Sequence, residues 1–430
     1  MREASSGQNA VGGMYVPAPQ TSDNTRGSTQ IPCLARDKCR SRRWFEADRP
    51  GRTTSQGMVN KVINVDLVSL PGDGIGLEVV EAALAVLKSA GERRDVRFTI
   101  ETISVGAARF ARTGSVYTAD DFELCRAADS ILLGALGLPD VLHRDGTEAG
   151  PDLQFRLRFD LDLYSGVRPL HRYPAVPGPL STTSPFDFTI IRENTEGLYA
   201  SRGGGASVVD KVCADTLIVT ARGVDRIARF AFEYALAHPP LHGPPTVTCV
   251  DKANVLRSYA FFRSRFDAIA SDYVGRVETN RVYIDAFCAQ MVLDPTSIHV
   301  AVAENMFGDI VSDLAAGIVG SLGLAPSADI GDNHGVFQPS HGSAPGIAGK
   351  DQANPLATIL SAAMMLDWLA QRTLSDALRG MAADIRAAVN QTIAQPSSRT
   401  RDIGGTAGTR ACANAVIANL GEPEASIRDV

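Results

Sequence analysis

The hydrophobic and polar positions of this chain alternate with two periods. Apolar runs of strand length recur, and several are followed by segments with apolar residues at helical spacing. The clearest unit is Val62 to Gly91, VINVDLVSLPGDGIGLEVVEAALAVLKSAG, which predicts a buried strand, a glycine turn and an amphipathic helix ending at glycine. Further strands are predicted in ADSILLGALG, DFTIIRENTEG and PPTVTCVDKANVL. A strand followed by a helix is predicted in DTLIVTARGVDRIARFAFEYALA and IHVAVAENMFGDIVSDLAAG, and a largely buried helix in PLATILSAAMMLDWLAQ.

This alternation of strands and helices predicts an α/β fold with polar residues gathered at strand ends. The first 57 residues do not share it. They are rich in Gly, Ser and Thr and then in mixed charges, which predicts a disordered tail over residues 1–57. A transit peptide is the minor alternative, because the tail contains too many acidic residues for one.

Composition narrows the classes of function. The chain has 430 residues, of which 44% are hydrophobic and 21% charged, and this is enough for two domains with sizeable cores. A net charge of −6 leaves no basic footprint for nucleic acid. The sequence contains no apolar run of about eighteen residues, so no membrane span is predicted. The seven cysteines show no metal-ligand spacing, which favours reduced thiols in the cytoplasm, with targeting to an organelle by the tail as the alternative.

Two carboxylates stand four residues apart in the apolar stretch AENMFGDIVSDLAAG, Ala303 to Gly317. On a helix Asp309 and Asp313 would lie one above the other and repel, so a positive group is expected between them. Asp285, a lone acid in RVYIDAF, is a candidate third carboxylate. Oxygen ligands of this kind suit Mg²⁺ or Mn²⁺, whereas zinc would favour His or Cys. The alternative is a set of solvated acids.

Other candidate polar residues lie at the ends of predicted elements. Arg158 and Arg168 lie in RLRFDLDLYSGVRP and Arg192 in IIRENTEGLYASRGGG, and the arginine fork suits recognition of a carboxylate. Tyr199 and Lys252 also follow predicted strands. Taken singly, surface ion pairs, a packed tyrosine and a solvated lysine are the simpler interpretations.

The glycine turn GDGIG, Gly72 to Gly76, follows a strand and begins a helix. It lacks the full G-x-G-x-x-G spacing of a dinucleotide fingerprint and has no clear acidic partner for a ribose. A plain tight turn is therefore the favoured interpretation.

Several long motifs in order resemble the β-decarboxylating dehydrogenases, the family of 3-isopropylmalate, isocitrate, homoisocitrate and tartrate or D-malate dehydrogenases. The resemblance runs from about Val62 to about Leu420. It rests on LPGDGIG, LR ten residues before VRP, IIRENTEGLY, VDKANVL, AENMFGDIVSDLA, HGSAPGIAGK with ANP, and GGTAGT. Several such motifs in the right order are far more specific than any one of them.

The resemblance implies an isopropylmalate-dehydrogenase-like fold of two domains that is not a Rossmann fold. Residues 58–163 with 320–430 would form the cofactor-binding domain, and residues 164–319 the domain for substrate, metal and dimerisation. It further implies a homodimer with shared active sites.

The resemblance also implies a role for each candidate residue. The three arginines match the family's substrate-carboxylate arginines, and the three aspartates match its metal ligands, with Asp285 contributed by the partner subunit. Tyr199 and Lys252 match its acid–base pair, with the lysine again coming across the dimer interface. The implied reaction is the metal-dependent oxidation and decarboxylation of a malate with a substituent at C3, with hydride passing to a nicotinamide. The implied cofactor-binding residues are Ile75, His341, Gly342, Ser343, Ala344, Pro345, Gly346, Ile347 and Asn354.

The cofactor loop departs from the family pattern at its last residue. NAD-type loops usually read HGSAPD, with the aspartate on the adenosine ribose, whereas this chain has Gly346, and Gln338 stands where many relatives have glutamate. NAD remains the expected cofactor, with NADP as the alternative. Arg399 and Arg401 are candidates for an NADP 2′-phosphate, although surface roles are favoured for both.

The segment PDLQFRLR departs from the family pattern at the substrate. Gln154 occupies a position that is Leu in isopropylmalate enzymes and Asn in isocitrate enzymes, and Asp152 lies two residues before it. A glutamine would pair poorly with an isopropyl group, and Asp152 would repel a third carboxylate if it faced the pocket. A 3-isopropylmalate dehydrogenase-like activity is the first expectation and a tartrate or D-malate type the second. A non-catalytic regulatory subunit is the alternative from another class, disfavoured because the whole acid–base and metal set is present.

Overall fold

The apolar runs of the sequence form the strands of one ten-stranded sheet. A computed structural model describes residues 62–180, 184–202, 204–208 and 211–421. The tail predicted over residues 1–57 lies outside these residues, so its disorder stays a prediction.

Twelve strands lie in the described residues. They are β1 (Ile63–Gly72), β2 (Val96–Thr102), β3 (Ser130–Ala135), β4 (Ser165–His171), β5 (Asp187–Glu193), β6 (Ala206–Val208), β7 (Val212–Ala214), β8 (Thr246–Asp251), β9 (Glu278–Tyr283), β10 (Val300–Ala303), β11 (Pro326–Ile330) and β12 (Gly335–Pro339).

Eleven α-helices lie in the same part of the chain. They are α1 (Gly76–Glu92), α2 (Ala107–Thr113), α3 (Ala119–Ala127), α4 (Asp152–Asp160), α5 (Ala221–Ala237), α6 (Arg257–Ala270), α7 (Ile284–Leu293), α8 (Asn305–Val319), α9 (Leu356–Thr373), α10 (Asp376–Ala394) and α11 (Thr409–Ala418).

The large sheet has the order β2-β1-β3-β12-β11-β4-β5-β10-β8-β9. The four strands at one end are mutually parallel, as are the four at the other end, and the pairs β12/β11, β11/β4 and β4/β5 between them are antiparallel. A Rossmann sheet is mostly parallel with a different order, so the prediction of an α/β fold that is not a Rossmann fold is confirmed. The two parallel groups run in opposite directions, and the antiparallel strands between them lie at the centre of the sheet.

The first five strands of this order come from residues 62–163 and 320–421, and the other five come from residues 164–319. All described residues nevertheless lie in a single compact unit. The division of the chain into two domains at these boundaries stays a prediction.

The glycine turn and the buried helix follow the sequence pattern. Strand β1 is buried from Leu67 to Leu70, and α1 places its apolar positions against the sheet. Helix α9 is buried over most of its length, as predicted. Such helices form because one face, or nearly the whole surface, is apolar and is removed from water by packing.

One predicted strand is wrong. Residues 216–220, TLIVT, form no strand. Their only sheet contact is an isolated antiparallel β-bridge between Ile218 and Gly197. Thr220 instead caps α5, its side chain accepting a hydrogen bond from the backbone of Gly223. The apolar run was too short to distinguish a strand from a loop that leads into a helix.

No helix among the described residues is both long and apolar enough to cross a membrane. The five cysteines in the described ranges are free thiols. Cys33 and Cys39 lie outside those ranges.

Candidate active site

A cavity of about 650 Å³ opens at the central strands of the sheet. Residues of β3, β4, β5 and β12 contribute to its wall, together with α4, α8 and the turn at Tyr199–Ser201. The predicted site residues that line it are Gln154, Arg158, Arg168, Arg192, Tyr199, Asp309, Asp313, His341 and Gly342. The fold therefore brings together residues from most of the chain in one pocket.

Arg158 is buried near the end of α4 and pairs with the buried Asp329 of β11. Its Nε donates to Asp329 Oδ2 at 2.9 Å and its Nη2 to Oδ1 at 3.3 Å. Its Nη1 donates to no described residue. The guanidinium is therefore held along one edge and has donors left for an anion in the cavity.

Arg192, at the end of β5, is buried and reaches across to the start of α8. Asn305 Oδ1 accepts hydrogen bonds from Nε at 3.0 Å and from Nη2 at 2.8 Å, and Nη1 pairs with Asp309. Gly308 makes room for this arginine, since a Cβ built there would lie 2.7 Å from Arg192 Cγ. Burial, with Arg158 nearby, lowers the pKa of Arg192 to about 10, which leaves it cationic at neutral pH.

Arg168, in the middle of β4, is also buried. Its Nη1 donates to Ser340 Oγ at 2.9 Å, whereas its buried Nε has no hydrogen-bond partner in the structure. A buried donor without a partner is costly, and a bound carboxylate would satisfy it. The three predicted arginines thus converge on one cavity, each buried and positively charged.

The two carboxylates of α8 face the same cavity. Asp309 contacts Arg192 and also accepts a long hydrogen bond of 3.4 Å from the Tyr199 hydroxyl. Among the described residues Asp313 has no hydrogen-bond or ion-pair partner, and burial together with repulsion by Asp309 raises its pKa. The positive group expected between them is supplied in part by Arg192. Arg168 and Arg192 act on Asp313 only through space and do not outweigh burial, so the pair still has the oxygen ligands that a divalent cation would use.

Tyr199 lies beside these carboxylates with its ring packed edge-on against Phe155, at 5.9 Å between ring centroids. Burial and the nearby Asp309 raise the pKa of Tyr199 above its usual value. The phenol is therefore protonated at neutral pH and can donate a proton or a hydrogen bond into the cavity.

Lys252 and Asp285 lie together, away from this cavity. The Lys252 Nζ lies 2.5 Å from Asp285 Oδ1, and this hydrogen bond lowers the pKa of Asp285. Neither residue lines the pocket that contains Asp309. Among the described residues, no three His, Cys, Asp or Glu side chains cluster in a way that could hold a metal ion. Asp285 and the two carboxylates of α8 therefore do not meet within one chain.

Asp152 does not line the cavity that contains Asp309. Its carboxylate pairs with Arg202 Nη1 at 2.8 Å and with His143 Nε2 at 2.8 Å, and it lines a neighbouring cavity. Gln154 does line the main cavity, and its Nε2 lies 3.5 Å from Asp329 Oδ2. The repulsion of a third carboxylate by Asp152, considered from the sequence, is thus offset by two partners.

The predicted cofactor loop packs against the glycine turn. The backbone N–H of Ile75 donates to Ser343 O at 2.8 Å. Gly74 has φ +56°, and a side chain there would collide with the Ser343 carbonyl. Glycine is therefore required at position 74 both by the backbone conformation of the turn and by the close approach of the loop.

His341, the first residue of this loop, has a buried Nε2 with no hydrogen-bond partner in the structure, while Nδ1 lies 3.0 Å from Gly342 O. Burial lowers the pKa of His341, so the imidazole is neutral at pH 7. Ala344, Pro345 and Gly346 are exposed. This side of the loop offers a neutral imidazole and backbone groups to a ligand, and Gly346 offers no carboxylate.

Asn354 and Arg399 are each engaged by the protein. Asn354 donates to Asp402 at 2.9 Å, and Arg399 donates to Ile393 O at 2.6 Å at the end of α10. Arg401 is exposed. Of the two arginines considered for a 2′-phosphate, only Arg401 has its guanidinium uncommitted to a described residue.

Sequence reasoning missed the residues that support the predicted side chains. Asp329 and Asn305 hold Arg158 and Arg192, and Phe155 lies against Tyr199. Buried Asp73 in the glycine turn accepts hydrogen bonds from the backbone of Ala107, Ala108 and Gly137. For Asp329 the signal in the sequence is a polar residue inside the apolar run SADIGD, but this pattern does not identify its partner.

The model of the isocitrate/isopropylmalate dehydrogenase family matches residues 66–417. The chain belongs to this family. It is therefore an enzyme, an oxidoreductase, and the resemblance seen in the sequence is confirmed.

Relatives and a solved structure agree with this assignment. The chain is 38% identical over 344 residues to a 3-isopropylmalate dehydrogenase of Leifsonia xyli, covering 78% of this chain and 95% of that protein. It is 37% identical over 361 residues to the decarboxylating D-malate dehydrogenase of Escherichia coli, covering 81% and 97%. An isocitrate dehydrogenase structure from Methylococcus capsulatus superposes with a TM-score of 0.73 at 33% identity, covering 83% and 99%. These matches confirm that the fold is of the isopropylmalate dehydrogenase type.

Proposed function

We propose that this enzyme catalyses the metal-dependent oxidative decarboxylation of a C3-substituted malate with transfer of hydride to NAD. The observation that carries the proposal is the convergence of three buried arginines, a protonated tyrosine and two helix carboxylates on one cavity. Buried cations without a full set of partners favour a substrate with more than one carboxylate. The relatives named 3-isopropylmalate dehydrogenase and decarboxylating D-malate dehydrogenase support the same class of reaction.

In this proposal each of the chain's residues has a separate task. The arginines hold the carboxylates of the substrate so that its C2 and C3 stand in one orientation. Lys252 of the partner subunit removes the proton of the C2 hydroxyl, and Tyr199 delivers a proton to the carbon from which CO₂ has left. The cation, Mg²⁺ or Mn²⁺, would be held by Asp309 and Asp313 with Asp285 of a second copy, and when bound it supplies Lewis-acid polarisation of the substrate oxygens.

The homodimer is supported by apolar surface on the elements that carry these residues. Strands β6 and β7 form a small two-stranded sheet whose six residues are all exposed, including Val208 and Val212. On α7 and α8, Leu293 is 83% exposed and Ile310 55%. Exposed apolar residues on neighbouring helices are typical of a subunit interface. Such an interface would bring Lys252 and Asp285 toward the cavity of the other subunit.

NAD is the proposed cofactor, bound by the loop from His341 to Ile347 together with Ile75 and Asn354. The free Nε2 of His341 supports this placement. Because Arg399 is committed to the end of α10, only Arg401 supports the NADP alternative.

Two types of substrate are candidates, one with an alkyl group at C3 and one with only hydrogen or a hydroxyl there. Family likeness favours 3-isopropylmalate, whereas the amide of Gln154 in the cavity wall favours a smaller or hydroxylated substrate such as D-malate or tartrate. The deciding experiment measures reduced-cofactor absorbance with Mg²⁺, using NAD and NADP in turn, on 3-isopropylmalate, D-malate, L-tartrate, isocitrate and homoisocitrate. Turnover of a malate by the purified enzyme supports the proposal, and binding without turnover of any of these acids would refute it.

Replacement of Gln154 by leucine is expected to shift the preference toward 3-isopropylmalate. It should raise kcat/KM for 3-isopropylmalate relative to D-malate by roughly 10- to 100-fold, because an apolar contact replaces an amide that the substituent cannot satisfy. Steady-state kinetics with both acids measures the ratio. The control is Arg156→Leu, which places the same side chain on the exposed face of α4 and should leave the ratio unchanged. An unchanged ratio in Gln154→Leu would show that residue 154 does not contact the substituent.

A further inference from the structure

Asp329 is a carboxylate in the middle of the sheet that is 1% exposed. It lies in β11 between β12 and β4, opposite Val336 on one side and Gly166 on the other. An isolated charge at such a place would be strongly destabilising, so it must be paired and hydrogen-bonded to persist.

Five hydrogen bonds converge on this carboxylate, all from side chains. Oδ2 accepts from Arg158 Nε at 2.9 Å, from Gln338 Nε2 at 3.2 Å and, at 3.5 Å, from Gln154 Nε2. Oδ1 accepts from Asn194 Nδ2 at 2.9 Å and from Arg158 Nη2 at 3.3 Å. The sheet makes room for this set, because a Cβ at Gly166 would lie only 2.8 Å from Asn194 Oδ1.

We propose that Asp329 is a positioning residue that sets the orientation of both Arg158 and Gln154 toward the substrate. The inference rests on the proposed role of Arg158 in binding a substrate carboxylate. A guanidinium is planar, so fixing Nε and Nη2 on one carboxylate also fixes the direction of Nη1. No described residue accepts a hydrogen bond from Nη1, so Nη1 is the donor presented to the ligand.

The same carboxylate determines which end of Gln154 faces the cavity. An ionised aspartate only accepts hydrogen bonds, so the amide nitrogen turns toward it. The Gln154 Oε1 makes no hydrogen bond to a described residue and is left as an acceptor at the cavity wall. A hydroxyl on the substrate, and not an alkyl group, complements that acceptor.

The charge of the Asp329 carboxylate supports its role as a positioning residue. Burial raises the pKa of Asp329, but the three arginines of the cavity outweigh burial, and its pKa lies below the usual range. Asp329 is thus ionised at neutral pH and offsets one of three buried positive charges. Arg192 is paired with Asp309, which leaves Arg168, with its unpartnered Nε, to attract an anionic substrate.

The test is Asp329→Asn, which keeps the shape but turns one acceptor oxygen into a donor that faces other donors. The Kd for D-malate in the presence of Mg²⁺, measured by calorimetry, should rise roughly 10- to 100-fold, as expected for a lost charge-assisted hydrogen bond. In turnover assays KM should rise by a similar factor while kcat changes by less than about threefold, because a carboxylate contact is made in ground and transition states alike. Asp332→Asn is the matched control, since Asp332 is an exposed acid three residues further on.

A second variant separates positioning from folding. Gln338 Nε2 and Arg158 Nε donate to the same oxygen, so Asp329→Asn combined with Gln338→Glu returns a carboxylate beside Arg158. This double variant should bind D-malate within about tenfold of the wild type. A folded Asp329→Asn with unchanged Kd would overturn the proposal, as would a loss that the double variant does not restore. If Asp329→Asn does not fold, the double variant alone decides by the same affinity criterion. Calorimetry does not depend on turnover, so a wild type that binds D-malate without oxidising it would refute the proposed function and leave this test intact.

Discussion

Replacement of Asp309 by asparagine is expected to reduce Mg²⁺-dependent turnover by about 10³-fold or more. A Lewis acid that polarises a substrate oxygen contributes several kcal/mol to the transition state, and each 1.36 kcal/mol is about a factor of ten in rate. Asparagine keeps the size of Asp309 and can still accept from Arg192, but it removes the negative charge that would bind the cation. Initial rates over a Mg²⁺ titration, together with calorimetric titration of Mn²⁺, measure the effect.

The fold of this variant should be intact, because the Asp309 side chain is 39% exposed and the buried face of α8 lies on other residues. The Tm is therefore expected to stay within a few degrees of the wild type. The control is Asp272→Asn, which removes an exposed carboxylate that pairs with Arg229 outside the cavity. Normal turnover in Asp309→Asn with an unchanged dependence on Mg²⁺ would defeat the metal assignment.

Mixed dimers of two inactive variants are expected to recover activity. Lys252→Met and Asp309→Asn should each be nearly inactive as homodimers, since one lacks the proposed base and the other the proposed metal ligand. If each active site takes Lys252 from the partner subunit, a mixed dimer contains one site with both defects and one native site. Mixed dimers purified with two different affinity tags should then show about half of the wild-type activity per dimer.

The structural reason is the separation of the two residues within one chain. Lys252 lies with Asp285, and both are absent from the wall of the cavity that Asp309 lines. The control is a mixed dimer of wild type and Asp309→Asn, which should also have about half activity under either arrangement. Mixed dimers of the two inactive variants that show no recovery would mean that Lys252 serves the site of its own chain.

Much of the local structure was predictable from the sequence. Strands β1, β3, β5, β8 and β10 and helices α1, α5, α8 and α9 were predicted, because each buries an apolar face whose period is visible along the chain. The strand predicted over residues 216–220 was wrong, because an apolar run of that length does not define a strand when no neighbouring strand pairs with it.

The candidate site was predictable in its chemistry. Arg192 at a strand end and the carboxylates of Asp309 and Asp313 four residues apart are local patterns, and their burial or mutual repulsion indicates a function. The resemblance of ordered motifs added the family, which the comparison confirmed. The roles of the individual residues stay predictions that the variants above would test.

The partners of these residues were decided only by the tertiary structure. Asp152 turns to Arg202 and His143, away from the cavity, and Asp329 meets Arg158 across 171 residues of chain. Local hydrophobic periodicity determines which face of an element is buried. It contains no information about which strand becomes the neighbour of β11 or in what register, so the sequence determined the chemical groups of the site and the packing of distant strands determined which of them meet.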